Sequence, residues 1–161
     1  MSEHAEQVAL IQWCLTEARH TPDLGLIYAV PNAGKREGKQ GAWMVAEGLR
    51  RGMLDLCLPV PSLPNRDGEY THSFYLELKF GDNKPDPDQE WWISRLEARG
   101  HLVGVFLDWQ LAAMALEDYV QVPQRYRTQW LTGPAQERAQ RKQENWLQGY
   151  LQRKEKILDA R

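Results

Sequence analysis

The chain is short of cysteine, of long apolar runs and of any excess of one charge. Two cysteines in 161 residues, Cys14 and Cys57, are too few for a disulfide framework. Both sit among apolar neighbours with no basic residue beside them, which argues against an activated thiolate and for reduced core residues. Apolar runs are only a few residues long, so no transmembrane helix is expected. The opening Met-Ser-Glu-His-Ala-Glu is polar and acidic, unlike a secretory signal. A cytoplasmic protein is expected, in the host cytoplasm if the chain is viral. The histidines (His4, His20, His72, His101) lack metal-ligand spacing. There is no Gly-rich phosphate cradle of the P-loop type, which weakens a small-molecule phosphohydrolase reading.

What is present is a globular composition. Hydrophobic residues make up 42%, too many for a disordered chain. The length predicts one domain that buries roughly 70% of its unfolded surface. Twenty Lys and Arg oppose 22 Asp and Glu, for a net charge of −2. That sum speaks against nucleic-acid binding, but the charges are not evenly placed. From Gln124 to Arg161, nine bases against four acids leave +5, so the first 123 residues carry −7. Within that acidic part, Pro31–Gly52 holds Lys35, Arg36, Lys39, Arg50 and Arg51 against Glu37 and Glu47. Such asymmetry suggests a phosphate-binding face, with a solvated helix surface as the plainer alternative.

Periodicity predicts a helix over Glu3–His20, with Ser2 as N-cap and Val8, Ile11, Leu15 and Ala18 on one stripe. Leu24–Val30 reads as a buried strand, Gly41–Arg51 as a helix closed by Gly52, and Leu54–Val60 as a second strand. Ser73–Phe80 alternates Phe74, Leu76 and Leu78 with Tyr75, Glu77 and Lys79, the clearest strand of all. Pro87–Arg99 is a helix expected to bury Trp91, Trp92 and Leu96, with Ile93 beside them. Leu102–Leu107 is a strand, and Trp109–Val120 and Pro134–Leu158 are helices. In the last helix, Trp146, Leu147, Tyr150, Leu151, Ile157 and Leu158 form a stripe. This order predicts an α/β fold, a mixed sheet flanked by helices. Core packing is expected for most of the seven tryptophans, with Trp43, beside the basic loop, as the candidate for base contact.

The chemistry concentrates on one strand. Glu77 and Lys79, two residues apart, point to the same side. Asp55 sits between Leu54 and Leu56 in the preceding strand region and converges on Glu77 if the two strands are neighbours. Two carboxylates with an adjacent lysine suit a hard cation such as Mg2+ or Mn2+, with the Leu78 carbonyl as a further ligand. Lys79, when protonated, would hold the attacking water or stabilise developing charge. A simple Glu77–Lys79 ion pair is the structural alternative.

These residues resemble the PD-(D/E)XK nucleases. Val30-Pro-Asn-Ala-Gly34, Glu47-Gly-Leu-Arg-Arg-Gly-Met-Leu-Asp55 and Leu76-Glu-Leu-Lys79 narrow the resemblance to the VRR-NUC (virus-type replication-repair nuclease) group. Gln89 with Trp91-Trp92, and Gly100-His-Leu-Val103, extend it over about Ser2 to Ala113. The resemblance implies a restriction-endonuclease-like core over residues 1–120. Residues 121–161 would be a helical C-terminal extension for packing, dimerisation or DNA contact. It implies a Mg2+- or Mn2+-dependent nuclease in which Asp55 and Glu77 bind metal, Lys79 assists water and Gln89 helps to organise the site. A first-helix glutamate joins them at the metal, directly or through water: Glu3, four residues before Gln7, fits, and Glu6 is the alternative. Lys35, Arg36 and Lys39 would contact phosphates. Leu54 stands where members often have proline. Small stand-alone members imply a homodimer acting on branched DNA such as four-way (Holliday) junctions, in viral, phage or bacterial replication and repair. A non-cleaving DNA-binding or scaffold module is the competing reading.

Overall fold

The computed structural model describes residues 2–31, 39–128 and 134–159, and their side chains apart from those at 39–41, 135–136 and 153–159. A four-stranded mixed sheet lies at its centre, built from β1 (Tyr28–Ala29), β2 (Leu56–Leu58), β3 (Phe74–Leu78) and β4 (Leu102–Phe106) in that spatial order. β1–β2 and β2–β3 are antiparallel and β3–β4 is parallel. The parallel pair needs a crossover, which α3 (Pro87–Glu97) supplies. Helices α1 (Glu3–Glu17) and α4 (Trp109–Tyr119) cover the opposite face.

The alternation of β3 explains the two layers. Leu76 and Leu78 face Leu10, Cys14, Ala112 and Leu116 in the main core. Tyr75 joins Leu54, Ile93 and Leu96 in a smaller core under α3. β3 is thus covered on both sides, and its one carboxylate, Glu77, is buried along with its apolar neighbours.

Several local expectations are corrected. The segment expected as a strand over Leu24–Val30 is a 3-10 turn, Pro22–Leu26, followed by the short β1. Proline at the start of the turn presets its φ, and Leu24 inserts into the core. In α1 the inward stripe is Glu6, Leu10, Trp13 and Cys14. Val8 and Leu15 are 40% and 60% exposed. The large Trp13 and its neighbours claim the sheet-facing side, which helical spacing alone does not choose. Helix α2 (Lys39–Ala46) ends before Gly52. Gly48, at φ +106°, stops it, with Leu49 N–H donating to Met44 O and Gly48 N–H to Val45 O. This is a Schellman ending. In α3, Ile93, Leu96 and Gln89 are buried and Trp91 is 53% exposed, against expectation. Trp91 instead meets Trp92 edge to face and carries Arg95 over its ring.

The last helix, α5 (Pro134–Asp159), packs on the edge strand. Gln143 accepts from Leu107 N–H and donates to Val105 O, closing off open β4 backbone groups. Trp146 and Tyr150 pack with Leu107, while Leu147 and Leu151 are exposed. Cys14 and Cys57 are buried and free, and burial pushes the Cys14 thiol up to about 12. Among the described residues no helix is long and apolar enough to cross a membrane.

Candidate functional site

Asp55 directly precedes β2, and the register Leu56↔Leu76 carries it to a position opposite Glu77. Two like charges across an antiparallel pair destabilise a sheet, and here the backbone holds them together. Asp55 N–H donates to Glu77 Oε2 at 3.2 Å, and Leu78 N–H donates to Asp55 Oδ2 at 3.1 Å. The Asp55 carbonyl in turn accepts from Val30 N–H at 2.8 Å, fastening the end of β1 to the site.

Glu77 is 1% exposed. Lys79 Nζ lies 2.7 Å from its Oε1, and Gln89 Nε2 donates to that same oxygen. Burial and the Asp55 charge push the Glu77 carboxyl up from 4.5 to about 7, against the opposing pull of Lys79 and Gln89. The ion pair thus accompanies the carboxylate pair without cancelling its repulsion.

Gln89 is aimed by the start of α3. Asp86 caps the helix by accepting from Gln89 N–H at 2.9 Å, and Gln89 Oε1 accepts from Asp86 N–H at 3.0 Å. This reciprocal capping box ties up one end of the amide and leaves its NH2 toward Glu77. The Asp86-x-x-Gln89 spacing is the sequence signal for this arrangement, and hydrophobic periodicity does not carry it. Gly52 sets the distance between Asp55 and α3. Its φ is +73°, and an added Cβ would lie 2.4 Å from Asp88 Cβ and 2.7 Å from the Asp88 carbonyl carbon. Trp92 Nε1 donating to Arg51 O fastens the same approach.

The two first-helix glutamates part ways. Glu6 is buried and accepts from Trp109 N–H at 3.0 Å, so it serves the N-terminus of α4. Glu3 reaches the chain just past Lys79, accepting from Phe80 N–H at 3.3 Å and Asn83 Nδ2 at 3.1 Å. Asp55, Glu77, Lys79 and Gln89 are therefore brought into one hydrogen-bonded group, with Glu3 at its rim. Among the described residues no three His, Cys, Asp or Glu side chains gather as a set that could hold one metal ion. Lys35 and Arg36 lie outside the described residues, as does the Lys39 side chain at the start of α2. Trp43 is 70% exposed.

The donor set can be tested against a divalent cation. Glu77 accepts three polar hydrogens and has capacity for about four. Mg2+ is ordinarily bound by only one or two carboxylates and keeps several waters. A buried Glu77, its proton affinity raised by burial and by the half-buried Asp55 beside it, fits such an ion without a third acid.

No family model and no curated protein matches the chain. A solved structure described as a VRR_NUC domain protein is similar to it, with a TM-score of 0.59 and 18% identity over 76% of this chain and 91% of that one. The likeness is one of fold.

Proposed function

We propose that the chain is a metal-dependent DNA nuclease that hydrolyses phosphodiester bonds. The observation that carries this reading is the Asp55–Glu77 pair, with Glu77 buried and Lys79 and Gln89 on the same Glu77 carboxylate. The VRR_NUC neighbour supports it at the level of fold. Asp55, Glu77 and the Leu78 carbonyl are the groups that would hold Mg2+ or Mn2+. The chemistry such an ion supplies when bound is charge for a phosphoryl oxygen and acidification of a coordinated water. The chain's own residues do the positioning. Glu77 fixes the Lys79 ammonium, which donates to the attacking water or to the phosphoryl oxygen as charge builds. Gln89 holds Glu77 in place from the other side. Glu3, through Phe80 and Asn83, steadies the chain that leaves Lys79.

Branched DNA such as a four-way junction, and action as a homodimer, are the substrate and assembly proposed for it. Purified protein incubated with duplex, flap and junction DNA in Mg2+, Mn2+ or EDTA tests the whole reading. Cleavage is expected in either metal and not in EDTA. Cleavage by Asp55→Asn or Lys79→Ala as fast as by the parent, with EDTA having no effect, would rule the mechanism out. Tight binding without product after long incubation would favour the non-cleaving module. Mass in solution checks the dimer.

A further inference from the structure

We propose that α5 and the loop after β3 form a phosphate-binding groove that holds a DNA backbone beside the carboxylate site. This rests on the nuclease reading for its substrate class. The groove is a cleft of about 620 Å3 lined by Asp82, Lys84, Arg138, Arg141, Lys142 and Asn145, with Trp146 at its base. Four cations face one acid there. Arg138, Arg141, Lys142 and Asn145 recur at helical spacing and share one side of α5. Arg138, Arg141 and Lys142 make no ion pair or hydrogen bond with any described residue. Glu137 and Glu144 on the same helix neutralise none of them by contact. Three cations on one helix face, with no neutralising contact among the described residues, are the footprint of an anionic partner.

The groove is rigidly joined to the site. Trp146 Nε1 donates to Asn83 O at 3.0 Å, and Asn83 Nδ2 donates to Glu3 Oε1 at 3.1 Å. Gln143 clamps the next turn of α5 to β4. Lys84 crosses α5 at Gly149, where an added Cβ would lie 3.6 Å from Nζ. The groove wall therefore begins three residues beyond Lys79. From Arg138 to Asn145 the helix rises about 10 Å, close to three phosphate-to-phosphate steps along the axis on one strand. A regularly spaced polyanion fits that row, and its place next to Glu77 favours DNA over an acidic protein.

The full chain tests this with a short fluorescein-labelled duplex in Ca2+ and with cleavage in Mg2+. The variant Arg138→Ala/Arg141→Ala/Lys142→Ala is expected to bind at least about tenfold more weakly, with a salt slope shallower by about 2 to 3. Its cleavage rate at saturating DNA should stay within about twofold of the parent. The charge-keeping Arg138→Lys/Arg141→Lys should bind like the parent. Equal affinity and slope in parent and triple variant would overturn the groove. If that parent still cleaves, the nuclease reading survives. A parent that binds through the groove and cuts nothing upholds the groove and removes the nuclease reading. Labelled poly-glutamate bound as tightly as duplex, and lost in the same variant, would overturn it in favour of an acidic protein.

Discussion

Glu77 is the residue on which the site turns, because burial and Asp55 hold its carboxyl at about 7, above its ordinary 4.5. The folded protein binds that proton more tightly than the unfolded chain. The Glu77 contribution to stability is therefore complete below about pH 4.5 and is lost as pH rises through about 7, an effect of up to about 3 kcal/mol. In EDTA, carboxyl-carbon NMR should show Glu77 titrating near neutrality. Asp55→Asn keeps an acceptor for Leu78 N–H and removes the repelling charge, so the same carbon should titrate lower. That variant should also lose at least about a hundredfold in cleavage, as expected when charge stabilisation of the transition state goes. An unmoved Glu77 titration would refute the electrostatic account of the pair. In the proposed reaction Gln89 would act through Glu77, to which its Nε2 donates. Gln89→Ala should cost about 10–100-fold in cleavage or metal affinity. Titrating metal by calorimetry separates the two, because a positioning role weakens metal binding while a merely structural one leaves it unchanged in the folded fraction.

At the scale of elements, the short turn into β2 does what the strands cannot. Gly52 lets that turn pass within contact of the first turn of α3, where Asp86 and Gln89 are set. Gly52→Ala meets both a left-handed φ and backbone atoms that cannot move aside. It should lower the unfolding free energy by about 2–4 kcal/mol. Urea denaturation measures that, and a fall in cleavage measured well below the new midpoint shows that Asp55 and Gln89 have moved apart. How far the sequence revealed this depends on how local each signal is. The alternation in β3 is local, so the strand was legible from residue order, whereas the Asp55–Glu77 pairing was legible only on the condition that the two strands are neighbours. Which side of a helix meets the sheet is decided by tertiary packing. That is why Val8, Leu15 and Trp91 lie outside while Trp13 and Gln89 lie inside. Spacing could not separate Glu3 from Glu6 either, because α4, more than a hundred residues away, takes Glu6 for its own N-terminus.

For the whole molecule, the net charge of −2 describes no surface that a partner would meet. Two acids meet where Asp55 repels Glu77, and bases line α5 and Arg50–Arg51. The two regions make opposite demands on a phosphate backbone. In the proposed nuclease the cations would attract it at any metal concentration, whereas the carboxylate pair would repel it until a divalent ion is bound. Duplex binding by the parent should therefore be weak in EDTA and strengthen in Ca2+, even though added divalent salt by itself screens the attraction. In Asp55→Asn the gain on adding Ca2+ should shrink, because the repelling pair has become a single acid. At fixed Ca2+ both proteins should lose affinity as monovalent salt rises, with similar slopes, since the groove cations are untouched. Fluorescence anisotropy over a salt series measures all of this in one format. Metal-free binding as tight as metal-loaded binding by the parent would mean that the carboxylate pair does not face the phosphate, and that the basic face alone holds DNA.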